Sequence, residues 1–195
     1  MYHGSPELLE HLRDRRVLVC VCGGIAVYKV ASVVSTLAQA GCEVHVAMTE
    51  SATKFVAPLT FQSLSGRAVY TSVWDAIDHA DPQHVRLASG LDVALVAPCT
   101  MNMMASLATG RADDSVSTIL AAVDRTETPV LLAPSMNASM WNQPATQRNL
   151  ATLQSDGFAV VQPGEGWQAC RTTGPGRMAE PDHLVEAMAR TIAKK

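Results

Sequence analysis

Charge is scarce in this sequence. Of 195 residues 17% are charged, and 15 lysines and arginines against 18 aspartates and glutamates leave a formal net charge of -3. The only basic concentration is the short stretch Arg13 to Arg16, too small to track a phosphate backbone. No nucleic-acid partner is expected; a small molecule or a protein fits better. The five cysteines, Cys20, Cys22, Cys42, Cys99 and Cys170, are odd in number and lack CxxC spacing, which argues against a zinc site or a disulfide framework and for a reducing compartment. The first sixteen residues hold no apolar core of signal-peptide length, and no later apolar run approaches a membrane span. A cytoplasmic protein without membrane contact is expected. No internal repeat, low-complexity segment or interdomain linker is visible, so one domain over residues 1–195 is the expectation.

What is present is a set of short apolar runs alternating with helical patterns. RVLVCVC (16–22), EVHVAM (43–48), LDVALVAP (91–98), PVLLAP (129–134) and FAVVQP (158–163) read as strands buried on both faces. Val30, Val33, Val34 and Leu37 follow the spacing of one helix face, and Gly41 closes that helix. Further helices are expected around Ser115 to Val123, from Ala145 to Ser155, and after Pro181 and Asp182. The order implies an α/β fold, a single Rossmann-like doubly wound parallel sheet. Its longest irregular stretch, about 162–180, has the length of a functional flap.

Ligands of such sheets bind beyond the carboxyl ends of the strands, which selects four segments. The turn CGGIAVYK (22–29) presents backbone N–H groups at a helix start, for a phosphate or simply for tight-turn geometry. It is not GxGxxG, and no acidic residue ends the second strand, so a mononucleotide is favoured over a dinucleotide. Thr49 and Ser51 can donate hydroxyl hydrogen bonds to the same phosphate, cap a helix, or both. In PSMNASMW (134–141), Asn137 offers amide donors to a substrate carboxylate in a pocket walled by Met136, Met140 and Trp141; the other reading is an Asx turn with methionines as core filler.

Two single residues remain open at this point. His84, in the polar segment before the third strand, is either a base or an ordinary surface histidine. Cys170, followed by RTTGPGRM, is either a flap acid or an inert thiol. Cys20 and Cys22 are read as small core residues, and His3, His11, His45, His79 and His183 carry no functional argument.

Taken together, GGIAVYK, HVRL at His84, PCTMN (98–102) with the following ATGRADDSVST, PSMNASMWNQPATQRN and GPGRMAEP resemble the flavin-containing cysteine decarboxylases, over about Arg16 to Ala189. That family includes phosphopantothenoylcysteine decarboxylase and the peptidyl-cysteine decarboxylases of lantibiotic and related pathways. The resemblance implies FMN, or in some members FAD, and assembly as a homotrimer or homododecamer with the flavin near a subunit interface. It implies that Gly24, Ile25, Thr49 and Ser51 hold the phosphate end and that Thr100, Met101 and Asn102 lie near the flavin, where the family often reads PASANT and this chain has PCTMNM. It further implies that His84 assists removal of the thiol proton, Asn137 positions the carboxylate and Met140 packs against the substrate. Cys170 then matches the flap cysteine that helps return the reducing equivalents.

Phosphopantothenoylcysteine enzymes usually continue from that cysteine as ACGD or ACGE, whereas this chain reads Ala169-Cys170-Arg171-Thr172. That departure favours oxidative decarboxylation of a peptide ending in cysteine to an enethiol. The alternative is phosphopantothenoylcysteine decarboxylase of coenzyme A biosynthesis, giving 4'-phosphopantetheine. A more remote one is a non-catalytic regulatory flavoprotein.

Overall fold

The computed structural model describes residues 6–74 and 82–194. In chain order the elements are α1 (Pro6–Glu10), β1 (Arg16–Val21), α2 (Val27–Gln39), β2 (Glu43–Met48), α3 (Glu50–Thr53), α4 (Pro58–Ser65), α5 (Gln83–Ala88) and β3 (Val93–Cys99). They continue as α6 (Met101–Ala108), α7 (Ser115–Ala122), β4 (Val130–Pro134), α8 (Ala138–Trp141), α9 (Pro144–Ser155) and β5 (Ala159–Val160). The chain then forms β6 (Gly164–Trp167), β7 (Thr173–Arg177) and α10 (Pro181–Ile192). No helix among the described residues is long and apolar enough to cross a membrane.

The five main strands pair in parallel in the order β2-β1-β3-β4-β5, as the alternation of strand and helix requires. The period of two along each strand divides the core. Val17, Val19 and Val21 of β1 pack with α2, α4 and α10, while Leu18 and Cys20 pack with α5, α6, α7 and α9. Val93, Leu95 and Ala97 of β3 join the first layer, and Ala94, Val96 and Cys99 the second. Both sheet faces are therefore covered, and the expected doubly wound α/β fold is borne out.

Helix ends follow local chemistry. Pro144 and Pro181 open α9 and α10 at the first turn, where no N–H partner is needed. Gly41, after α2, adopts φ +87°, the left-handed conformation that glycine takes without strain.

Two expectations are corrected. The FAVVQP run is not a strand buried on both faces: β5 is a two-residue edge with Ala159 exposed and Val160 half-buried, because it has a neighbour on one side only. The 162–180 stretch is not irregular either. Within it β6 and β7 form an antiparallel hairpin, with Glu165 opposite Pro175 and Trp167 opposite Thr173.

Candidate functional site

The sheet order reverses direction between β1 and β3, since β1 is followed outward by β2 and β3 is followed by β4 on the other side. Loops leaving the carboxyl ends of those two strands diverge to opposite faces, and the crevice between them is where ligands of open α/β sheets bind. A cavity of about 1010 Å³ lies there, lined by residues that follow β1, β2, β3 and β4 and by the β6–β7 hairpin.

Ten of the eleven expected site residues border this one cavity. After β1, Gly24 and Ile25 form the turn into α2. Gly23 shows why the turn is glycine: a Cβ there would lie 2.8 Å from the backbone carbonyl carbon of Ser51. The β1 turn thus packs directly on the β2 turn, and both present polar groups to the same space. Thr49 caps α3 by accepting from Ala52 N at 3.3 Å, and its hydroxyl lies 3.0 Å from that of Ser51. The cap and the hydroxyl pair coexist, as the spacing allowed.

After β3, Thr100 accepts from Met103 N at 3.2 Å and so caps α6, which sets Met101 and Asn102 on its first turn at the cavity wall. Cys22 completes the floor. Burial holds its thiol well above the ordinary range, so it is a neutral, apolar surface; Cys20 and Cys99 are buried behind it. The core role expected for Cys20 and Cys22 is borne out.

After β4, Asn137 caps α8: its Oδ1 accepts from Met140 N at 2.9 Å. The Asx reading holds, and the same side chain borders the cavity: the cap occupies the oxygen, while the amide nitrogen has no hydrogen-bond partner among the described residues. Met136 and Met140 line the cavity with it, Met140 remaining 39% exposed. Trp141 does not line it; the indole packs against the core layer of α6, α7 and α9. On the four-residue α8, Met140 and Trp141 point about 100° apart, so only one can face the cavity.

The hairpin carries Cys170 at its tip, on the cavity wall. Its glycines serve close docking rather than looseness. A Cβ at Gly174 would lie 2.8 Å from Ala138 Cβ, and the carbonyl of Gly176, at φ +101°, accepts from Met136 N at 2.9 Å. Gln168 pins the same junction: Nε2 donates to Pro175 O at 2.7 Å and Oε1 accepts from Ala138 N at 3.2 Å.

The one expected residue that the chain does not bring to the cavity is His84. It lies half-buried on the first turn of α5, on the opposite side of β1 and β3 from α2. His45 is engaged by Glu43 and Arg16, and His3 and His79 lie outside the described residues.

Several cavity residues were missed by sequence reasoning. Asp114 accepts from Val116 N and Ser117 N at 2.8 and 2.9 Å, and Ser117 Oγ accepts from Asp114 N in return, a capping box that brings a carboxylate to the cavity edge. Its Asp-x-x-Ser spacing was a readable signal. Gln168 had none. Lys29 and Arg177 line the cavity and share Glu180, with Lys29 Nζ 2.9 Å from both carboxylate oxygens and Arg177 Nη2 at 2.7 Å from one.

The site suits a flavin. Two turns offer N–H and hydroxyl donors for one phosphate, the β3 and β4 loops supply an apolar wall for a ring, and the volume admits a cofactor with a substrate beside it. Glu50 borders the cavity, but its carboxylate is exposed and paired with Lys54 at 3.2 Å, so no buried acid marks a dinucleotide ribose.

A family model described as Flavoprotein matches residues 5–193. The chain belongs to the flavoprotein family. Within it, this flavoprotein is 44% identical over 184 residues to the coenzyme A biosynthesis bifunctional protein CoaBC of Bacillus subtilis (strain 168), a match covering 94% of this chain and 45% of that protein. The chain thus spans about half the length of the curated relatives it matches. A solved structure of the FMN-dependent cysteine decarboxylase SpaF superposes with a TM-score of 0.79 at 29% identity, covering 93% of this chain and 99% of that one. A cysteine-to-serine mutant of PPC decarboxylase complexed with pantothenoylaminoethenethiol gives 0.80 at 29% identity, covering 94% and 100%. The expected kinship with the flavin-containing cysteine decarboxylases is borne out.

Proposed function

We propose that this flavoprotein is a phosphopantothenoylcysteine decarboxylase acting in coenzyme A biosynthesis, with FMN as its cofactor. The observation that carries the reading is the placement of Cys170 across one cavity from Asn137 and Met140, because a flap thiol beside a carboxylate clamp serves a reaction that ends in a saturated thiol. The relatedness to coenzyme A biosynthesis proteins supports the same choice. The sequence argument for a peptide substrate rested on Arg171 and Thr172 reshaping the flap. Arg171 instead adopts φ +65°, the left-handed conformation a glycine would take there, so the turn keeps its shape and that argument weakens.

In this reading the N–H groups of Gly23 and Gly24, with the hydroxyls of Thr49 and Ser51, hold the cofactor phosphate, and Thr100, Met101 and Asn102 border its ring. Bound flavin supplies two-electron oxidation of the carbon bearing sulfur and, later, the reverse. Asn137 Nδ2 donates to the substrate carboxylate, and Met140 packs along the chain that leads to it, fixing orientation. Once the carbon bearing sulfur is a thioaldehyde, the carboxylate lies β to it and carbon dioxide departs, leaving an enethiol. Cys170 then gives a proton to the enethiol carbon as reduction completes the saturated thiol.

His84 takes the substrate thiol proton in the cavity of a neighbouring copy. That arrangement is supported by its position outside the chain's own cavity and by the exposure of Val85 beside it and of Ile25 and Tyr28 at the cavity mouth. A homotrimer or a homododecamer built from trimers provides such contacts.

The test is to purify the full chain, measure its flavin, and offer phosphopantothenoylcysteine and a peptide ending in cysteine. The expected result is yellow protein with roughly one FMN per chain and conversion of phosphopantothenoylcysteine with loss of carbon dioxide alone. Reaction of the peptide only, with loss of carbon dioxide and two hydrogens, would replace this reading by the peptide one. Colourless protein that takes up no added flavin would overturn both.

A further inference from the structure

We infer that Thr172 is a positioning residue for Cys170, holding and refilling the thiol proton that finishes the reaction; this rests on the decarboxylase reading and deepens it. The turn at the hairpin tip is closed by Arg171 N donating to Gln168 O at 2.9 Å and Gln168 N donating to Thr172 O at 2.8 Å. These two bonds bring the side chains of residues 170 and 172 to the same side. Cys170 Sγ lies 3.0 Å from Thr172 Oγ1 and 3.7 Å from Gln168 Oε1.

Gln168 is buried and committed through its amide to Pro175 O, so its oxygen is a fixed acceptor. Thr172 is exposed, and its hydroxyl can both accept and donate. With the thiol protonated, the two oxygens orient the S–H. With a bound reduced flavin as the hydride donor, hydride would add to one enethiol carbon and the Cys170 proton to the other, which consumes the C=C bond and leaves a Cys170 thiolate. Thr172 O–H donates a hydrogen bond to that thiolate and relays a solvent proton to it in one concerted transfer, so that no alkoxide forms. Gln168 cannot do this, because its oxygen carries no proton.

A hydroxyl at position 172 puts a protic group next to the sulfur without a fixed charge. Arg171 holds the left-handed turn that sets the 3.0 Å contact.

The experiment uses the flavin-loaded full chain as wild type, Thr172→Val and Thr172→Ser, with two readouts. The first is the ratio of enethiol to saturated thiol formed from phosphopantothenoylcysteine, a ratio that a general loss of activity does not move. Thr172→Val should raise it about fivefold or more, the effect of losing one hydrogen bond at a reacting atom, and Thr172→Ser should restore it. The second is the rate of Cys170 alkylation at fixed pH in the absence of substrate, followed by mass spectrometry. It should fall about fivefold in Thr172→Val and recover in Thr172→Ser, since a hydroxyl donor stabilises thiolate. An unchanged product ratio in Thr172→Val, or wild type that stops at the enethiol, overturns the inference while leaving decarboxylation standing. If no variant releases carbon dioxide, the decarboxylase reading itself fails, and equal alkylation rates then dispose of the Thr172–Cys170 coupling as well.

Discussion

Lys29 Nζ lies 2.9 Å from both carboxylate oxygens of Glu180, joining the first turn of α2 to the residue that precedes α10. Lys29 is the buried partner, its side chain 13% exposed against 48% for Glu180. The lysine, with Arg177 behind it, holds the Glu180 carboxyl below its ordinary value. A lowered folded pKa means stability that is fully present above the ordinary glutamate range and is lost as pH falls through the folded value. Glu180→Gln should therefore show a smaller drop in melting temperature between pH 7 and acid than wild type does. An identical drop in both would remove the pair from the acid response; solvent screening keeps its size modest.

Gly23→Ala should abolish flavin binding. The added methyl meets Ser51 backbone as well as its side chain, so the β1 and β2 turns must separate, at a cost of about 1–3 kcal/mol of overpacking. Flavin absorbance of the purified variant checks this, and Gly23→Ala combined with Ser51→Gly should not restore it, because the carbonyl carbon of residue 51 stays in the way.

Asn137→Asp separates the two roles of that side chain. Aspartate caps α8 as well as asparagine does, so melting temperature and flavin content should be retained. The amide donor is replaced by a like charge facing the substrate carboxylate, and turnover should fall by roughly 10²-fold or more, as loss of substrate positioning does. Asn137→Leu should lose both turnover and about 1 kcal/mol of stability. Near-normal turnover in the aspartate variant would show that the amide does not hold the carboxylate.

Arg171 tests the turn. A non-glycine residue in the left-handed region costs roughly 1–2 kcal/mol, and glycine gives back part of that as chain entropy, so Arg171→Gly should be close to neutral. Arg171→Val, β-branched in the same conformation, should destabilise the hairpin clearly. Limited proteolysis at the 168–173 turn reads the difference, with valine cut fastest; equal cutting of all three would mean that the turn does not depend on this conformation.

Much of this molecule is legible in the residue pattern because it depends on local periodicity. Near-continuous apolar runs in 16–22 and 91–98 predict strands with two buried faces, and both faces of β1 and β3 are covered. The Val30, Val33, Val34 and Leu37 stripe and the prolines at 144 and 181 predict helices close to their observed bounds. The motifs at strand ends place nine site residues in one cavity because the end of a parallel strand is a position defined by topology alone; the tenth, Cys170, reaches it on the hairpin.

What the pattern leaves out depends on packing across long sequence separations. Gly174 and Gly176 allow close contact with Ala138 and Met136, which only a docked hairpin reveals. The roles of Gln168 and of the Lys29, Glu180 and Arg177 cluster arise from partners 30 or 151 positions away and leave no trace in spacing.

The sequence by itself determined the fold class, the order of the elements and the set of loops that meet at the ligand end, since strand and helix periodicity and right-handed crossovers admit few arrangements. Only the tertiary structure decided that Trp141 faces the core while Met140 faces the cavity, that His84 stands outside its own chain's cavity, and that Arg171 takes a left-handed backbone conformation at the hairpin tip. Each of these depends on side-chain direction or on a backbone dihedral, and neither is set by the spacing of residue types along a chain.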